Sequence, residues 1–332
     1  MKVRSRREAL LQLLACASVP ISARAQGKGS SYPVRPIKFV INDRAGGTVD
    51  AVARQIARKL ETALGQPVVP DNRPGGSGIL STDLVAKASP DGYTLLYSLS
   101  DPVVLHPLTM KKLPYDPQKD LAVVSHIQKR ITTFISSATL PCASLKEFVS
   151  YAKERPQALS FASWGVGSQG HLAGEYLNRE AGLKLVHVPY PAMGYAIVDL
   201  TNGLVSSGFG PPAIARQFLE NKKARALAVT GRTRSPVLPE VPTFGEVGLP
   251  ALDHLVSWHS IYAPGGTPEP ILAQLNAEIV KLMMDAELRE NIINIHGGEP
   301  AATGLAEARS ILEEDRKRWQ IIVRSLGDIP LS

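Results

Sequence analysis

The sequence predicts an α/β fold made of two lobes. Short apolar runs alternate with helical patterns along most of the chain, which is typical of strand–helix units packed around sheets. A first series of units ends near residue 130 and a second series follows it. The last part carries helical patterns without strands between them, and such a tail can pack back on the first series. We therefore predict one lobe from residues 26–130 and 255–332, and another from 131–254.

Three apolar runs in the first series predict strands. They cover residues 37–41, 66–69 and 93–97. Between the first two, apolar residues recur every four positions from Val52 to Leu64, which predicts a helix over 50–64 with one apolar face. Gly65 follows at the position where glycine commonly ends a helix. A further helix is predicted over 79–88.

The second series contains five apolar runs that predict strands. They cover residues 132–136, 159–163, 185–188, 206–209 and 226–229. Ser144 and Glu147 form a capping box, which predicts a helix from there to about Arg155. Other helices are predicted over 171–181, 195–201 and 213–220. After this series, an apolar run over 256–263 precedes helices predicted at 268–284, 286–295 and 304–326.

Residues 1–25 have the pattern of a secretory signal peptide. A basic start is followed by an apolar stretch and by Ala23-Arg24-Ala25, which fits the small-residue cleavage rule. The chain is therefore expected to be exported. Arg6 and Arg7 fit either a twin-arginine export signal or a plain basic start, and both remain open. Leu13 to Cys16 loosely resemble a lipoprotein box, so lipidation of Cys16 also remains open.

Composition and charge argue against several classes of function. Removal of residues 1–25 takes away five Lys/Arg and one acidic residue, which lowers the formal net charge from +7 to +3. Lys and Arg form no run with aromatic residues, so nucleic-acid binding has no support. The seven histidines show no metal-ligand spacing, so no metal or other cofactor is expected. Cys142 alone remains after cleavage, which excludes an intramolecular disulfide.

The most informative motif lies at residues 161–175, which predict a strand, a glycine-rich turn and a helix start. Gly165, Gly167 and Gly170 have the G-x-G-x-x-G spacing of a dinucleotide fingerprint. That fold also needs an acidic residue at the end of the next strand, where it binds the ribose. Residues 185–190 contain none, so a dinucleotide cofactor is not expected.

The same segment nearly fits the nucleophile elbow of an α/β hydrolase. Ser168 would be the nucleophile, and Asp199 followed by His254 or His296 stands in an acceptable order. Val166 occupies the position where the elbow needs glycine, and no H-G-G-G-type oxyanion segment comes before it. A secreted α/β hydrolase that uses Ser168 is the alternative function.

A third interpretation uses only the backbone. Successive amides in a glycine-rich turn at the start of a helix attract an anion. Gly46, Gly47 and Thr48 form a second turn of this kind, in the other lobe. Glycines can also serve only to make tight turns, and for one turn alone that simpler explanation suffices. Two matched turns in an exported chain favour a small carboxylate held between the lobes.

Several side chains beside these turns are candidates for ligand contact. Arg44 stands where it can meet a carboxylate, with an ordinary solvated arginine as the equal alternative. Trp164 fits the core by its residue type, but its place in a polar turn favours a wall that faces the ligand, and both interpretations remain open. Asp50 and His171 lie near helix starts, where such residues are more commonly caps or hydrogen-bonding groups than catalytic ones.

Segments along nearly the whole mature chain resemble those of one known family. The segments are Tyr32-Pro-Val-Arg-Pro-Ile37, Gly65-Gln-Pro-Val-Val69, Asn72-Arg-Pro-Gly75, Ser89-Pro-Asp-Gly-Tyr-Thr-Leu-Leu96, Lys112-Leu-Pro-Tyr-Asp-Pro117, Gly167-Ser168 with His171-Leu-Ala-Gly-Glu175, His187-Val-Pro-Tyr190, Leu238-Pro-Glu-Val-Pro-Thr243 and Ala263-Pro-Gly-Gly-Thr-Pro268. Together and in this order they resemble the extracytoplasmic solute receptors of tripartite tricarboxylate transporters, the Bug family.

The resemblance implies a type II periplasmic binding-protein fold, in which two α/β lobes joined by two crossover segments close over one ligand. It implies that the protein is not an enzyme and that it binds a small carboxylate through main-chain amides and bridging waters of the two glycine turns. The expected partners are the membrane permease subunits of such a transporter, or a sensor. The receptor is expected to be a monomer.

The chain departs from the family pattern at the predicted site. Val49 replaces a threonine, Gly210 replaces an aspartate and Trp164 replaces a small residue. These changes favour a carboxylate with an apolar or aromatic body. The predicted ligand-binding residues are Arg44, Ala45, Gly47, Thr48, Asp50, Ser98, Ser100, Ser163, Trp164, Gly167, Ser168, His171, Tyr190 and Gly210.

Overall fold

The fold consists of two sheets, each covered by helices. A computed structural model describes residues 32–191 and 193–327. The predicted signal peptide, with Arg6, Arg7 and Cys16, lies outside the described residues. The alternation of strands and helices confirms the predicted α/β class.

The strands follow one another in chain order. They are β1 (Ile37–Ile41), β2 (Val68–Asn72), β3 (Thr94–Leu99), β4 (Leu121–Arg130), β5 (Thr133–Ser137), β6 (Ser160–Ser163), β7 (Val186–Pro189), β8 (Ser207–Gly210), β9 (Ala224–Val229), β10 (Ser257–Pro264) and β11 (Glu299–Pro300). The α-helices are α1 (Thr48–Leu64), α2 (Ile79–Ala86), α3 (His106–Thr109), α4 (Leu145–Lys153), α5 (Gln169–Ala181), α6 (Met193–Thr201), α7 (Pro212–Glu220), α8 (Glu269–Leu282), α9 (Ala286–His296) and α10 (Leu305–Leu326).

The first sheet takes strands from both ends of the described chain. Its order is β11-β4-β10-β3-β1-β2. Strand β1 is parallel to β2 and β3, whereas β10 is antiparallel to β3 and β4. We call this sheet with its helices the first lobe. The chain leaves it after Arg130 and re-enters it at Ser257.

The second sheet is built from the middle of the chain. Its order is β7-β6-β8-β5-β9, with β6 parallel to β7 and β8, and β5 antiparallel to β8 and β9. We call this sheet with its helices the second lobe. Helix α10 packs where the chain crosses between the lobes, because its buried Trp319 donates a hydrogen bond from Nε1 to Val256 O at 3.2 Å. One apolar core therefore continues from one lobe into the other.

Local sequence rules account for the helices beside the glycine turns. In α1 the predicted apolar stripe is buried, and the helix ends at Gly65 with a left-handed φ of 66°. It begins at Thr48 rather than at the predicted Asp50, because extended backbone at Gly47 forms the N-cap. The capping box of α4 is also formed, since Ser144 Oγ accepts a hydrogen bond from Glu147 N at 3.2 Å.

Three elements of the first lobe have no counterpart in the sequence prediction, namely β4, the helical segment over 101–109, and the short strand β11, which lies between α9 and α10 where the sequence predicts no strand. Strand β4 carries polar residues that would normally face water, but tertiary contacts bury them. His126, for example, lies 2.7 Å through Nδ1 from Ser260 Oγ on the neighbouring strand. The helical segment over 101–109 forms despite Pro102 and Pro107, because both prolines occupy first-turn positions that need no amide hydrogen.

Candidate functional site

The first glycine turn, between β1 and α1, is held by two carboxylates. Asp43 accepts a hydrogen bond from Val49 N at 3.2 Å, and Asp50 Oδ2 accepts one from Gly46 N at 2.8 Å. A Cβ on Gly47 would overlap the Asp43 carboxylate, so a larger residue would displace the turn. The first turn is thus fixed by negative charges of the chain itself.

Asp50 is the buried anchor of this turn. Its carboxylate accepts hydrogen bonds from Arg54 Nε and Asn72 Nδ2, both at 2.9 Å. Burial alone would raise the pKa of Asp50, but the hydrogen bonds from Arg54 and Asn72 outweigh burial and hold this pKa below its ordinary value. All of these partners belong to the protein. Asp50 therefore stabilises the turn by hydrogen bonding, which agrees with the capping role that its position at the helix start predicts.

The second glycine turn, between β6 and α5, is held mainly by neutral groups. Ser163 Oγ accepts a hydrogen bond from Gly165 N at 3.2 Å. Ser168 is the N-cap of α5, since its Oγ accepts from His171 N at 3.3 Å and donates to Gly165 O at 2.6 Å. Gly165 and Gly167 have φ values of 125° and 73°, a region that strongly favours glycine.

Two stacked imidazole rings form hydrogen bonds with residues of the second turn. The rings of His171 and His187 lie 3.9 Å apart and are nearly parallel. His171 Nδ1 accepts a hydrogen bond from Gly167 N at 3.0 Å, and His187 Nε2 lies 2.7 Å from Ser163 Oγ. Burial lowers the pKa of His171 to about 4 and, together with the nearby His171, lowers the pKa of His187 to about 3. Both rings are therefore neutral at pH 7.

Trp164 connects the second turn to the first lobe. Its Nε1 donates a hydrogen bond to Asp101 Oδ2 at 2.8 Å. The Arg130 guanidinium lies 4.3 Å from the centre of the indole ring, and the ring also packs so closely on α5 that a Cβ on Gly170 would come within 2.7 Å of it. Asp101 and Arg130 belong to the first lobe, so Trp164 lies at the interface between the lobes.

The serines predicted in the first lobe lie behind the first turn. Ser98 Oγ accepts a hydrogen bond from Asn42 Nδ2 at 2.8 Å, which ties the end of β3 to the end of β1. The buried Asn42 Oδ1 has no hydrogen-bond partner in the described part of the chain. Ser100 Oγ accepts from Trp258 N at 3.0 Å and so joins β3 to β10.

The remaining predicted residues lie around the edge of this region. The exposed Arg44 guanidinium lies 5.4 Å from the ring centre of Tyr195 on α6, which brings the first turn near the second lobe. Ala45 beside it is exposed. Tyr190 donates its hydroxyl to Asp199 Oδ2 at 2.6 Å, and burial, then Asp199, raises the pKa of Tyr190 to about 12. Gly210 lies at the end of β8, next to Met193 in α6.

Sequence reasoning missed the residues that face the second turn from the other lobe. Ser77 Oγ would lie 2.7 Å from a Cβ on Gly165, and Thr109 Oγ1 would lie 3.0 Å from a Cβ on Gly167. Ser77 itself has a left-handed φ of 51° in a third glycine-rich turn. Both glycines are thus needed for the close approach of the lobes. Of these contacts, only the glycine-rich stretch around Ser77 could have been recognised in the sequence.

Four main-chain amides of the two turns have no hydrogen-bond acceptor among residues 32–191 and 193–327. They belong to Ala45, Thr48, Val166 and Gly170. Two lie at the start of α1 and two at the start of α5, where the aligned peptide dipoles favour negative charge. Both lobes therefore present amides that suit an anion.

The geometry does not support Ser168 as a hydrolytic nucleophile. Its hydroxyl proton goes to Gly165 O, and no ring nitrogen of a described histidine bonds to its Oγ. Asp199 is engaged by Tyr190, and His296 Nδ1 lies 2.8 Å from Gln128 Oε1 in the first lobe. A serine nucleophile needs an adjacent base, and none is placed beside this serine.

Other kinds of site were searched in the same part of the chain. Among the described residues, no group of three His, Cys, Asp or Glu side chains is arranged to hold a metal ion. No helix there combines the length and apolar character needed to cross a membrane. An open surface pocket of about 500 Å³ lies near the start of β1 and β3, between Arg35, Asp71 and Tyr93, and does not include either glycine turn.

Comparison with known proteins points to one family. The family model described as tripartite tricarboxylate transporter family receptor matches residues 52–328. Protein BugT of Bordetella pertussis is 33% identical over 312 residues, which cover 93% of this chain and 93% of that protein. A Rhodopseudomonas palustris protein solved with adipate aligns with a TM-score of 0.83 and 31% identity, over 89% of this chain and 98% of that chain. MatC from the same organism, solved with bound malate, aligns with a TM-score of 0.80 and 30% identity, over 88% of this chain and 100% of that chain.

Proposed function

The chain belongs to the receptor family of tripartite tricarboxylate transporters, whose members are periplasmic solute-binding proteins, and we propose that it holds one small carboxylate between its two lobes. The observation that carries the proposal is the set of open amides of Ala45, Thr48, Val166 and Gly170, at two helix starts in different lobes. An anion bound by both sets favours the closed form over the open one.

The proposed ligand is a carboxylic acid with an apolar or aromatic body. The two solved relatives bind adipate and malate, which are small dicarboxylates. Trp164 stands beside the second turn with only part of its surface exposed, which offers an apolar contact next to the amides. Ser163 and Ser168 fix the turn around that contact, so the carboxylate meets preorganised donors.

Ligand release requires the lobes to separate. The two crossing segments, after Arg130 and before Ser257, are the proposed hinge between residues 26–130 with 255–332 and residues 131–254. Binding shifts the population toward the closed form by as much as the ligand prefers it. We propose that a monomeric receptor, exported by residues 1–25 through the general or the twin-arginine route, offers the closed form to membrane permease subunits or to a sensor.

Calorimetry and thermal shift on the mature protein test this function. Linear and aromatic mono- and dicarboxylates are compared with their uncharged amides, because the amides keep the shape and lose the charge. A true ligand at about 100 times its Kd should stabilise the protein by about 2.7 kcal/mol. Stabilisation by polar tricarboxylates alone would reject the proposed ligand body. Binding of none of the acids, with no acid found by mass spectrometry in the natively purified protein, would reject the receptor function.

A further inference from the structure

A buried polar cluster lies outside the two glycine turns, where the chain crosses between the lobes. Gln128 and Arg130 are two residues apart on β4, so their side chains share one face of the strand. His259 on β10 is paired with Gln128 across the sheet. His296 at the end of α9 lies 2.8 Å through Nδ1 from Gln128 Oε1. We call these four residues the Arg130 cluster.

Three members of the Arg130 cluster have a buried polar atom without a hydrogen-bond partner in the described part of the chain. The atoms are Gln128 Nε2, Arg130 NH1 and His259 Nε2. The four residues are at most 7% exposed. A buried polar atom without a partner destabilises a protein, and a buried charge without one does so more strongly. Three such atoms in one place are expected to be met by bound water or by a polar group of a ligand.

The charge of the Arg130 cluster is positive and poorly balanced. Burial lowers the pKa of Arg130, and only the charge of Asp101 opposes this effect. Asp101 forms no salt bridge with Arg130 within 4.0 Å, and its Oδ2 is already bound to Trp164 Nε1. Burial, and after it the charge of Arg130, lowers the pKa of His296 to about 3, so that ring is neutral. The Arg130 guanidinium therefore keeps a donor, NH1, that no carboxylate among the described residues occupies.

The Arg130 cluster lies between the two glycine turns. The Arg130 guanidinium is 4.3 Å from the ring centre of Trp164, which belongs to the second turn. On the other side, His296 lies beside the main chain of Thr48, which belongs to the first turn. A ligand that touches both turns therefore also comes near this cluster.

We propose that the Arg130 cluster binds a second anionic group of the ligand and makes the receptor selective for diacids over monocarboxylates. This inference rests on the proposed carboxylate-binding function. The planar guanidinium can meet a carboxylate through two parallel hydrogen bonds, a geometry that an ammonium group lacks. The guanidinium lies over the Trp164 ring, 4.3 Å from its centre, and Gln128, on the same face of β4, has an unpartnered donor in Nε2.

The position of the proton on the His259 ring is consistent with binding of an anion by the Arg130 cluster. The buried Tyr97 hydroxyl lies 3.3 Å from His259 Nδ1, and burial keeps Tyr97 protonated by raising its pKa. If the hydroxyl donates to Nδ1, the neutral imidazole carries its own proton on Nε2, which is the unpartnered atom. Arg130, Gln128 and His259 then offer three donors to one anion.

Calorimetry with matched acids tests the proposal. Adipate and hexanoate share a six-carbon chain and differ by one carboxylate, as do succinate and butyrate. The wild-type protein should bind the diacid of at least one pair about 30-fold more tightly than the monoacid. R130Q should remove most of that preference by weakening diacid binding, while monoacid affinity changes by less than about twofold. R58Q, which removes an exposed arginine of α1, is the matched control and should leave both affinities unchanged.

The outcomes separate this inference from the receptor function. Equal binding of both acids by the wild-type protein would overturn the role of the Arg130 cluster and leave the receptor function intact, and this comparison does not depend on any variant folding. An equal loss for both acids in R130Q would also overturn it, since a merely structural arginine predicts that result. R130K keeps the charge but not the two parallel bonds, so it should retain part of the preference. Binding of no acid by the wild-type protein would overturn the receptor function itself.

Discussion

The two glycine turns have the same backbone plan, but different groups hold them. In the first turn, Asp43 and Asp50 accept main-chain hydrogen bonds, so two carboxylates occupy the start of α1. In the second, Ser163, Ser168 and His171 do the same work without charge. Asp101 also reaches the second turn, where its Oδ2 accepts a hydrogen bond from Gln169 N at 3.4 Å. A negative ligand therefore meets two carboxylates at the first turn and one at the second. We expect the second turn to be the better anion site and the first turn the better structural anchor.

Substitution of the first turn's anchor should have the largest effect on stability. Asp50→Ala leaves Arg54 and Asn72 without their buried partner, so the free energy of unfolding should fall by about 2–3 kcal/mol. Urea unfolding followed by circular dichroism measures this change. Asp71→Ala removes a carboxylate whose ion pairs are largely exposed, and should cost less than about 1 kcal/mol. Equal losses in the two variants would show that Asp50 is not an anchor.

Acid should destabilise the second turn more than the first. The unfolded chain binds a proton at each histidine with a pKa near 6.5, whereas folded His171 and His187 bind one only near pH 4 and 3. The unfolded state thus holds more protons between these values, so the free energy of unfolding should fall as the pH falls from 6.5 toward 4. The slope contributed by each ring is at most about 1.4 kcal/mol per pH unit.

A variant isolates this effect from the other buried histidines. His187→Gln cannot titrate, so its melting temperature should fall less steeply than that of the wild-type protein over pH 6.5 to 4. Differential scanning calorimetry at several pH values gives both slopes. Identical slopes would mean that the stacked rings do not set the acid response of the second turn.

Removal of the cap of α5 should have a moderate effect on stability and a specific effect on binding. Ser168→Ala loses the hydrogen bond from His171 N and the one to Gly165 O, which together should cost about 1–2 kcal/mol. Ser144→Ala removes the N-cap of α4, a helix that belongs to neither turn, and should cost about 1 kcal/mol. Only Ser168→Ala should weaken acid binding, measured by calorimetry. Ester hydrolysis by the wild-type protein that Ser168→Ala abolishes would favour the hydrolase alternative instead.

The smallest expected effect concerns the contact between the lobes. Trp164→Phe keeps an aromatic ring but loses the hydrogen bond to Asp101, so ligand affinity should fall by about threefold. Arg44→Gln removes an exposed charge at the first turn and should change affinity by less than about twofold. If Arg44→Gln has the larger effect in calorimetry, the first turn is the main charge anchor and the comparison is reversed.

Much of the fold could be predicted because its signals are local. The apolar stripe of α1, the stop at Gly65 and the capping box at Ser144 each depend on residues a few positions apart. The α/β class and the family are confirmed on this basis. Strand β4 was missed, because residues such as His126 and Gln128 look exposed in sequence and are buried only by contacts with distant segments.

The candidate site could be predicted only in part for the same reason. Glycines at the two turns stand out in sequence, since few other residues fit a left-handed φ or a close backbone approach. The Arg130 cluster gives no such signal. Gln128 and Arg130 come together with His259 and His296 only after segments more than 100 residues apart share one sheet. Whether the predicted ligand-binding residues contact a ligand stays a prediction.

The sequence by itself determined the α/β class, the two glycine turns and the family, because periodicity and turn chemistry act over short stretches of chain. Only the tertiary structure decided which side chains hydrogen-bond to the main chain of each turn and which do not. It placed Asp101 against Trp164 and left Arg130 buried without a salt bridge to any residue that the structure describes. Burial changes the electrostatics of a side chain, and burial depends on the whole fold rather than on neighbours in sequence.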